Sequence, residues 1–286
     1  MAHPTRNESE SPRSSPGPWL HGLIPVIGLI GGIGSGKSRV AALLAEHDGF
    51  VIDADKVGHA LLDQSPARDS IREHFGPSVF AEPEGPDELA KVDRKALGRI
   101  VFSNPNERLA LEDILHPAMR RTFEKAIGRV LRRKQHRMII LDAAVLLEAG
   151  WADLCDLVIF VDSPESARIE RVATSRGWTA DELKRREASQ LSVDRKRVSV
   201  DRVLLNHGDE EQLRATVDQF WADLKAENRK KHGEAAIRRQ VAAAKRADRS
   251  GPTPGPGGSG APTRGGRRFK PPGGPRRSSG RGNSGS

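Results

Sequence analysis

Five short apolar runs punctuate the chain: LIPVIGLI (23–30), FVID (50–53), MIILD (138–142), LVIFVD (157–162) and RVLL (202–205). A strand that is wet on one face alternates apolar and polar residues. These runs do not alternate, which fits strands buried on both faces, as in a parallel sheet. Pro25 falls near the start of the first run, where a strand tolerates it. Longer segments with apolar residues at helical spacing lie between the runs, at 38–46, 93–103, 106–131, 165–176, 180–190 and 210–225. Alternating strand and helix patterns predict an α/β fold, a parallel sheet flanked by crossover helices.

Outside residues 23–225 this pattern fades. Residues 1–22 are polar and rich in Pro and Ser, without an apolar h-region. They read as a disordered segment and not as a secretory signal. Residues 226–249 read as a basic, helical extension with a thin apolar face. From Ser250 onward the chain is Gly, Pro, Ser and Arg with no acidic residue, and it reads as a disordered tail. No apolar run reaches the ~18 residues of a membrane span.

Charge sharpens this division. The net charge of +9 belongs to the C-terminal end: residues 222–286 hold 16 Lys and Arg against 4 Asp and Glu, a net of +12. Residues 1–221 hold 31 basic and 34 acidic side chains, a net of −3. The basic character therefore belongs to the tail and says little about what the folded body binds. The tail reads as a solubilising or weakly polyanion-binding appendage, with an RNA-binding Arg-Gly segment as the alternative; its single aromatic, Phe269, offers little stacking. Cys155 is the only cysteine, which excludes an intrachain disulfide framework and points to a reducing, cytoplasmic setting. The nine histidines show no zinc-ligand spacing.

The chemistry is concentrated after the first run. Gly31-Gly32-Ile33-Gly34-Ser35-Gly36-Lys37-Ser38 matches G-x-x-x-x-G-K-[ST], between a buried-strand pattern and a helix pattern. Glycines let successive backbone N–H groups curl around phosphate oxygens, and the helix N-terminus adds its free donors. Lys37 would meet the β- and γ-phosphates, and the Ser38 hydroxyl would ligate Mg²⁺. This loop predicts a nucleoside triphosphate and does not say what receives the phosphate. The second run ends in VIDADKVGH (51–59), which brings Asp53 and Asp55 to a strand end, near the phosphates. Either is suited to take a hydroxyl proton or to hold Mg²⁺ through water; Asp53 also suits a helix cap, and Asp55 is the better candidate base. Asp142 closes the third run, placed to hold Mg²⁺ through water or to cap the next helix.

The loop together with D-A-D about fifteen residues on resembles the opening of the dephospho-coenzyme A kinase family. LHP (115–117), LDAAVLLEAGWADLCDLVIFVDSP (141–164), RVATSRGW (171–178), RREASQLSVDRKR (185–197) and DRVLLNHG (201–208) continue the resemblance in order, over about residues 24–225. The resemblance implies a P-loop nucleotide-kinase-like core, substrate-side helices between about Gly58 and Val130, and a lid over about 171–196. It implies that ATP and Mg²⁺ phosphorylate the ribose 3′-hydroxyl of dephospho-CoA, with Asp55, Lys37 and Arg171 catalytic. Gly32, Ile33, Gly34, Ser35, Gly36, Lys37, Ser38 and the Arg39 backbone N–H would hold the nucleotide. Asp53, His59, Arg176, Arg186, Gln190, Lys196 and Asn206 would serve the substrate or the lid, with Gln190 and Asn206 also suited to holding loops. His116-Pro117 is read as fixing a helix start. Trp151 and Trp178 suit either a cleft lining or plain packing. The chain departs from the family pattern at Ile30, Arg39 and Ala144; Ala144 replaces a common Pro and leaves the shape of the 142–148 turn open. The rival readings are a kinase of another small hydroxyl compound, such as a nucleoside monophosphate or shikimate, and an RNA-associated NTPase served by the tail.

Overall fold

The five apolar runs form five parallel strands: β1 Val26–Gly31, β2 Gly49–Asp53, β3 Met138–Asp142, β4 Leu157–Asp162 and β5 Arg202–Leu205, in the order β2-β3-β1-β4-β5. The computed structural model describes residues 19–82, 85 and 89–249. The Gly/Pro/Arg tail and residues 1–18 lie outside the described residues. Every residue of β1, β3 and β4 is buried, as their uniform apolar character requires.

Each face of the sheet carries its own core. Val26, Ile30, Ile139, Leu141, Val158 and Phe160 pack under α5 (Pro105–Arg133), chiefly through Met119, Phe123 and Ile127. Ile27, Leu29, Ile140, Ile159 and Val161 face the other way, against α1 (Lys37–Ala45) and the first turns of α9 (Glu210–Arg249). A third, smaller core joins α2 (Ala54–Leu62), α3 (Ala67–Phe75) and α4 (Arg94–Ser103) to the start of α5, around Ile71, Val79 and Leu97. The remaining helices are α6 (Glu165–Arg176), α7 (Ala180–Glu187) and α8 (Val193–Val198). Among the described residues no helix is long and apolar enough to cross a membrane.

Two expectations are corrected. The folded body includes Trp19, ahead of the boundary placed at residue 23. Its indole is buried in the α1 and α9 core, and the nearby His21 Nδ1 lies 2.9 Å from the buried Asp156 carboxylate, which also accepts the Val26 N–H at 2.8 Å. His116-Pro117 does not start a helix. α5 begins at Asn104-Pro105, where the Asn104 side chain accepts the Asn106 N–H, and it runs through Pro117. Proline suits a first turn; inside the helix it removes one N–H, and here packing carries the helix through it.

His116 instead packs edge-on against Trp151 at 5.0 Å, and Phe123 meets the same indole edge-on at 4.9 Å. Phe123 is fully buried. Phe123→Ala is therefore expected to lower unfolding free energy by roughly 3–5 kcal/mol, read from urea denaturation. A loss below about 1 kcal/mol would mean that α5 is not held by this cluster. Burial lowers the His116 pKa from its usual 6.5, against the opposing pull of Glu112 and Asp113. The unfolded chain then takes up a proton that the native state refuses, so stability falls as pH drops below the usual value and levels off below the native one. His116→Gln is expected to reduce that slope in urea midpoints measured from neutral pH downward.

Candidate active site

The order of the strands decides where a ligand sits. β1 and β3 are neighbours, but β1 leads on to β2 at one edge while β3 leads on to β4 on the other side of β1. Such a reversal opens a crevice at the carboxyl ends of the two strands. The loop Gly31–Ser38 leaves β1 there, and Asp142 ends β3 there. Asp53 pairs in register with Asp142 across β2 and β3, so two carboxylates stand side by side on this edge.

The loop is held in shape from several sides. Gly34 and Gly36 take φ of 79° and 86°, the left-handed region that glycine adopts without strain. A side chain at Gly34 would also strike the Arg168 carbonyl at 2.8 Å, because α6 lies directly behind the loop. Buried Asn206 donates its amide to the Ser35 carbonyl at 2.8 Å, and Arg171 donates to the Gly34 carbonyl at 3.1 Å and to Ser163 Oγ at 2.8 Å. Both residues thus brace the loop. In Arg171 it is Nη1 that makes both bonds.

Several donors expected to serve phosphate are engaged. The Ser35 N–H donates to the Gly32 carbonyl at 3.1 Å, and the Arg39 N–H donates to the Gly36 carbonyl at 2.9 Å within the first helical turn. The Arg39 side chain pairs with Glu210 on α9, away from the loop. The N–H groups of Gly34, Gly36, Lys37 and Ser38 enter none of these bonds. Lys37 and Ser38 meet at one carboxylate: Lys37 Nζ contacts Asp142 Oδ1, and Ser38 Oγ donates to Oδ2 at 2.9 Å. Burial pulls the Lys37 ammonium down to about 8, while Asp55 and Asp53 hold it up. The Asp142 contact likewise favours the charged form.

The two Asp residues of D-A-D do different things. Asp53 is the N-cap of α2 and accepts the Lys56 N–H at 3.0 Å. Partial burial pushes its pKa up, but the Lys56 N–H and ammonium outweigh this and hold it below the usual carboxylate value. A carboxylate so stabilised is a poor base. Asp55 lies in the first turn of α2, exposed, and lines a cleft of about 260 Å³ with His59, Arg94, Leu97, Phe102 and Met119. His59 thus lines the same cleft as Asp55.

Across the cleft stands the hairpin of α6 and α7. Trp178 lies between two guanidinium groups, Arg176 at 4.7 Å and Arg186 at 4.1 Å from the ring. Arg186 also covers Phe102 of α4 at 4.7 Å, and Arg108 of α5 donates to the Ser189 carbonyl at 2.7 Å. These contacts bring the segment onto α4 and α5. Lys196 is fully buried: its ammonium donates to the Ala144 carbonyl at 2.9 Å and Gln190 Oε1 at 2.8 Å, with Glu148 at 3.1 Å. Lys196 and Gln190 therefore pin this segment to the 142–148 turn and leave no free ammonium. Both line a second cavity of about 390 Å³ with Gly32 and Glu187. Trp151 is core packing, not cleft lining. Sequence reading passed over Arg168 and Glu187, which touch the loop at Ile33. Charged residues on amphipathic helices carry no pattern that separates them from a solvated face.

The family model for dephospho-CoA kinase matches residues 25–212. A dephospho-CoA kinase of Symbiobacterium thermophilum is 40% identical over 199 residues, 68% of this chain and 80% of the relative. One from Thermobifida fusca is 37% identical over 199 residues, covering 69% and 95%. The crystal structure of a Thermus thermophilus protein superposes with a TM-score of 0.59 at 30% identity, over 70% of this chain and 98% of that one. A Campylobacter jejuni dephospho-CoA kinase shares the fold, with a TM-score of 0.53 at 22% identity over 71% and 98% of the two chains.

Of the four tryptophans, Trp19, Trp151 and Trp221 are buried in the core, and Trp178 alone stands in the α6–α7 hairpin. Nucleotide binding that moves this hairpin is expected to change the intrinsic fluorescence through Trp178, and Trp178→Phe is expected to remove most of the change. A change of full size in that variant would rule out the hairpin as its source.

Proposed function

Because this chain belongs to the dephospho-CoA kinase family, and so transfers phosphate from ATP to dephospho-CoA in the last step of coenzyme A synthesis, we propose that the loop, Asp55 and the lid of about residues 171–196 divide that reaction among them. The N–H groups of Gly34, Gly36, Lys37 and Ser38 and the Lys37 ammonium hold the phosphates of ATP. Asp55 accepts the proton of the ribose 3′-hydroxyl as its oxygen attacks the γ-phosphorus. The bond from that phosphorus to the bridging oxygen of ADP breaks, and ADP leaves.

Asp142 and Ser38 Oγ are two hard oxygen groups side by side against the loop, and together they fit Mg²⁺, which takes one or two protein oxygens beside phosphate and water. Among the described residues no group of three or more His, Cys, Asp or Glu is placed to hold a metal. Bound there, Mg²⁺ would neutralise charge on the phosphates. Arg171 and Asn206 act as positioning residues for the loop, and Asp53 does the same for α2. Arg176 and Arg186 stack on Trp178 in the lid, Arg186 also paired with Glu182 at 2.7 Å, and would exchange these contacts for a phosphoryl group, a stronger partner. Water is excluded when the lid is seated, which favours transfer to the hydroxyl over hydrolysis. A reducing, cytoplasmic location fits a chain with a single cysteine, Cys155, which is buried in the core.

The observation that carries this division is the placing of Asp55, exposed in the first turn of α2 and lining the acceptor cleft, while Asp53 is committed as a cap. ADP release with MgATP is expected with dephospho-CoA and not with AMP or without acceptor. Asp55→Asn is expected to lower kcat by about 10²–10⁴ while ATP affinity is kept. Unchanged turnover in that variant would remove Asp55 as the base, and equal ADP release without acceptor would leave only an ATPase.

A further inference from the structure

Glu187 occupies an anion's place on the phosphate loop. It ends α7, and its Oε1 accepts the Ile33 N–H at 3.0 Å. The same oxygen pairs with Arg168 Nη1, which also reaches the Ile33 carbonyl at 3.4 Å. A Cβ on Gly32 would lie 2.8 Å from Arg168 Nη1 and 3.2 Å from Glu187 Oε1, so the pair rests directly on the loop backbone. Arg168 is 6% exposed, and its Nε has no hydrogen-bond partner among the described residues. The carboxylate also faces the cavity that Gly32 and Lys196 line.

Two needs meet at this one oxygen. A buried guanidinium requires a counter-anion, and a loop N–H requires an acceptor. A phosphate oxygen meets both needs, with more charge. A carboxylate and a polyphosphate on the same donor repel each other, so they cannot both stay. We propose that Glu187 is a phosphate stand-in: it holds Ile33 and Arg168 in the absence of nucleotide, and the phosphate chain of ATP displaces it and takes both partners. This rests on the nucleotide role of the loop given above. Arg168 is then a phosphate-facing cation, supplied already buried and already oriented. The exchange also frees the end of α7, so arrival of ATP is coupled to movement of the lid.

The test is a cycle of Glu187→Gln, Arg168→Gln and the double variant in the full chain. ATP binding is measured by calorimetry in the presence of Mg²⁺ and without acceptor, and each melting temperature is read without nucleotide. Removing the competing charge is expected to tighten ATP binding about fivefold in Glu187→Gln, and losing the cation to weaken it about fivefold in Arg168→Gln. The double variant is expected to bind within about twofold of the wild type, since it lacks both the rival and the cation. Glu187→Gln is also expected to melt lower without nucleotide while binding ATP more tightly, a pair of opposite signs that a purely structural residue does not give. Weaker or unchanged binding in Glu187→Gln overturns the proposal. If Arg168→Gln does not fold, the sign of the Glu187→Gln effect still decides. A wild type that binds no ATP would instead sink the nucleotide role of the loop, and this proposal with it.

Discussion

A loop shaped to surround an anion must keep that shape when no anion is there. Its glycines contribute little rigidity, and its backbone donors point into the crevice that the ligand will occupy. The neighbouring elements supply the missing order. Asn206 and Arg171 hold the Ser35 and Gly34 carbonyls from outside, and α6 lies so close behind Gly34 that no side chain fits there. On the inside Asp142 gathers Lys37 and Ser38, and Glu187 takes the Ile33 N–H. Each bracing side chain comes from a different strand end or helix, so the loop's geometry is a property of the whole sheet edge.

The same economy shapes the acceptor side. Arg176 and Arg186 are not left bare in water: both rest on Trp178, and Arg186 also meets Phe102 and the Glu182 carboxylate. Such contacts are weak enough to exchange for a phosphate, and they keep long side chains near their working positions. Lys196 is different: three oxygen acceptors and full burial make it a fixed post that ties α8 to the 142–148 turn.

β1, β3 and β4 were legible because burial on both faces leaves unbroken apolar runs, β2 and β5 because their short runs stay mostly apolar although they are only partly buried, and the phosphate loop because its glycines have no other use between a strand and a helix. The helices α3 and α8 were not. They are short and mostly polar, with few apolar positions to set a period. Pro117 was misread because a proline inside a helix looks locally like a start, and only the packing of α5 on the sheet overrules it. At the site, the residues of the loop and the Asp pair could be found from spacing. The division between Asp53 as cap and Asp55 as cleft residue needed the turn geometry. The roles of Arg168, Glu187 and Lys196 depend on contacts between segments far apart in the chain, which no local pattern records.

One arrangement in the sheet bears on how the protein is made. Ile27 and Leu29 of β1 share a core with Leu213, Val217, Trp221 and Leu224 of α9. The Ser35 carbonyl likewise waits for Asn206. During synthesis the N-terminal part emerges first and tends to fold first. Here the earliest strand stays without its cover until residues near 224 have cleared the ribosome. The nascent chain must carry an apolar sheet face through most of translation. The phosphate loop becomes competent only near the end, so a ribosome that stalls before α9 releases a chain with an exposed sheet face and a loop that has not been set.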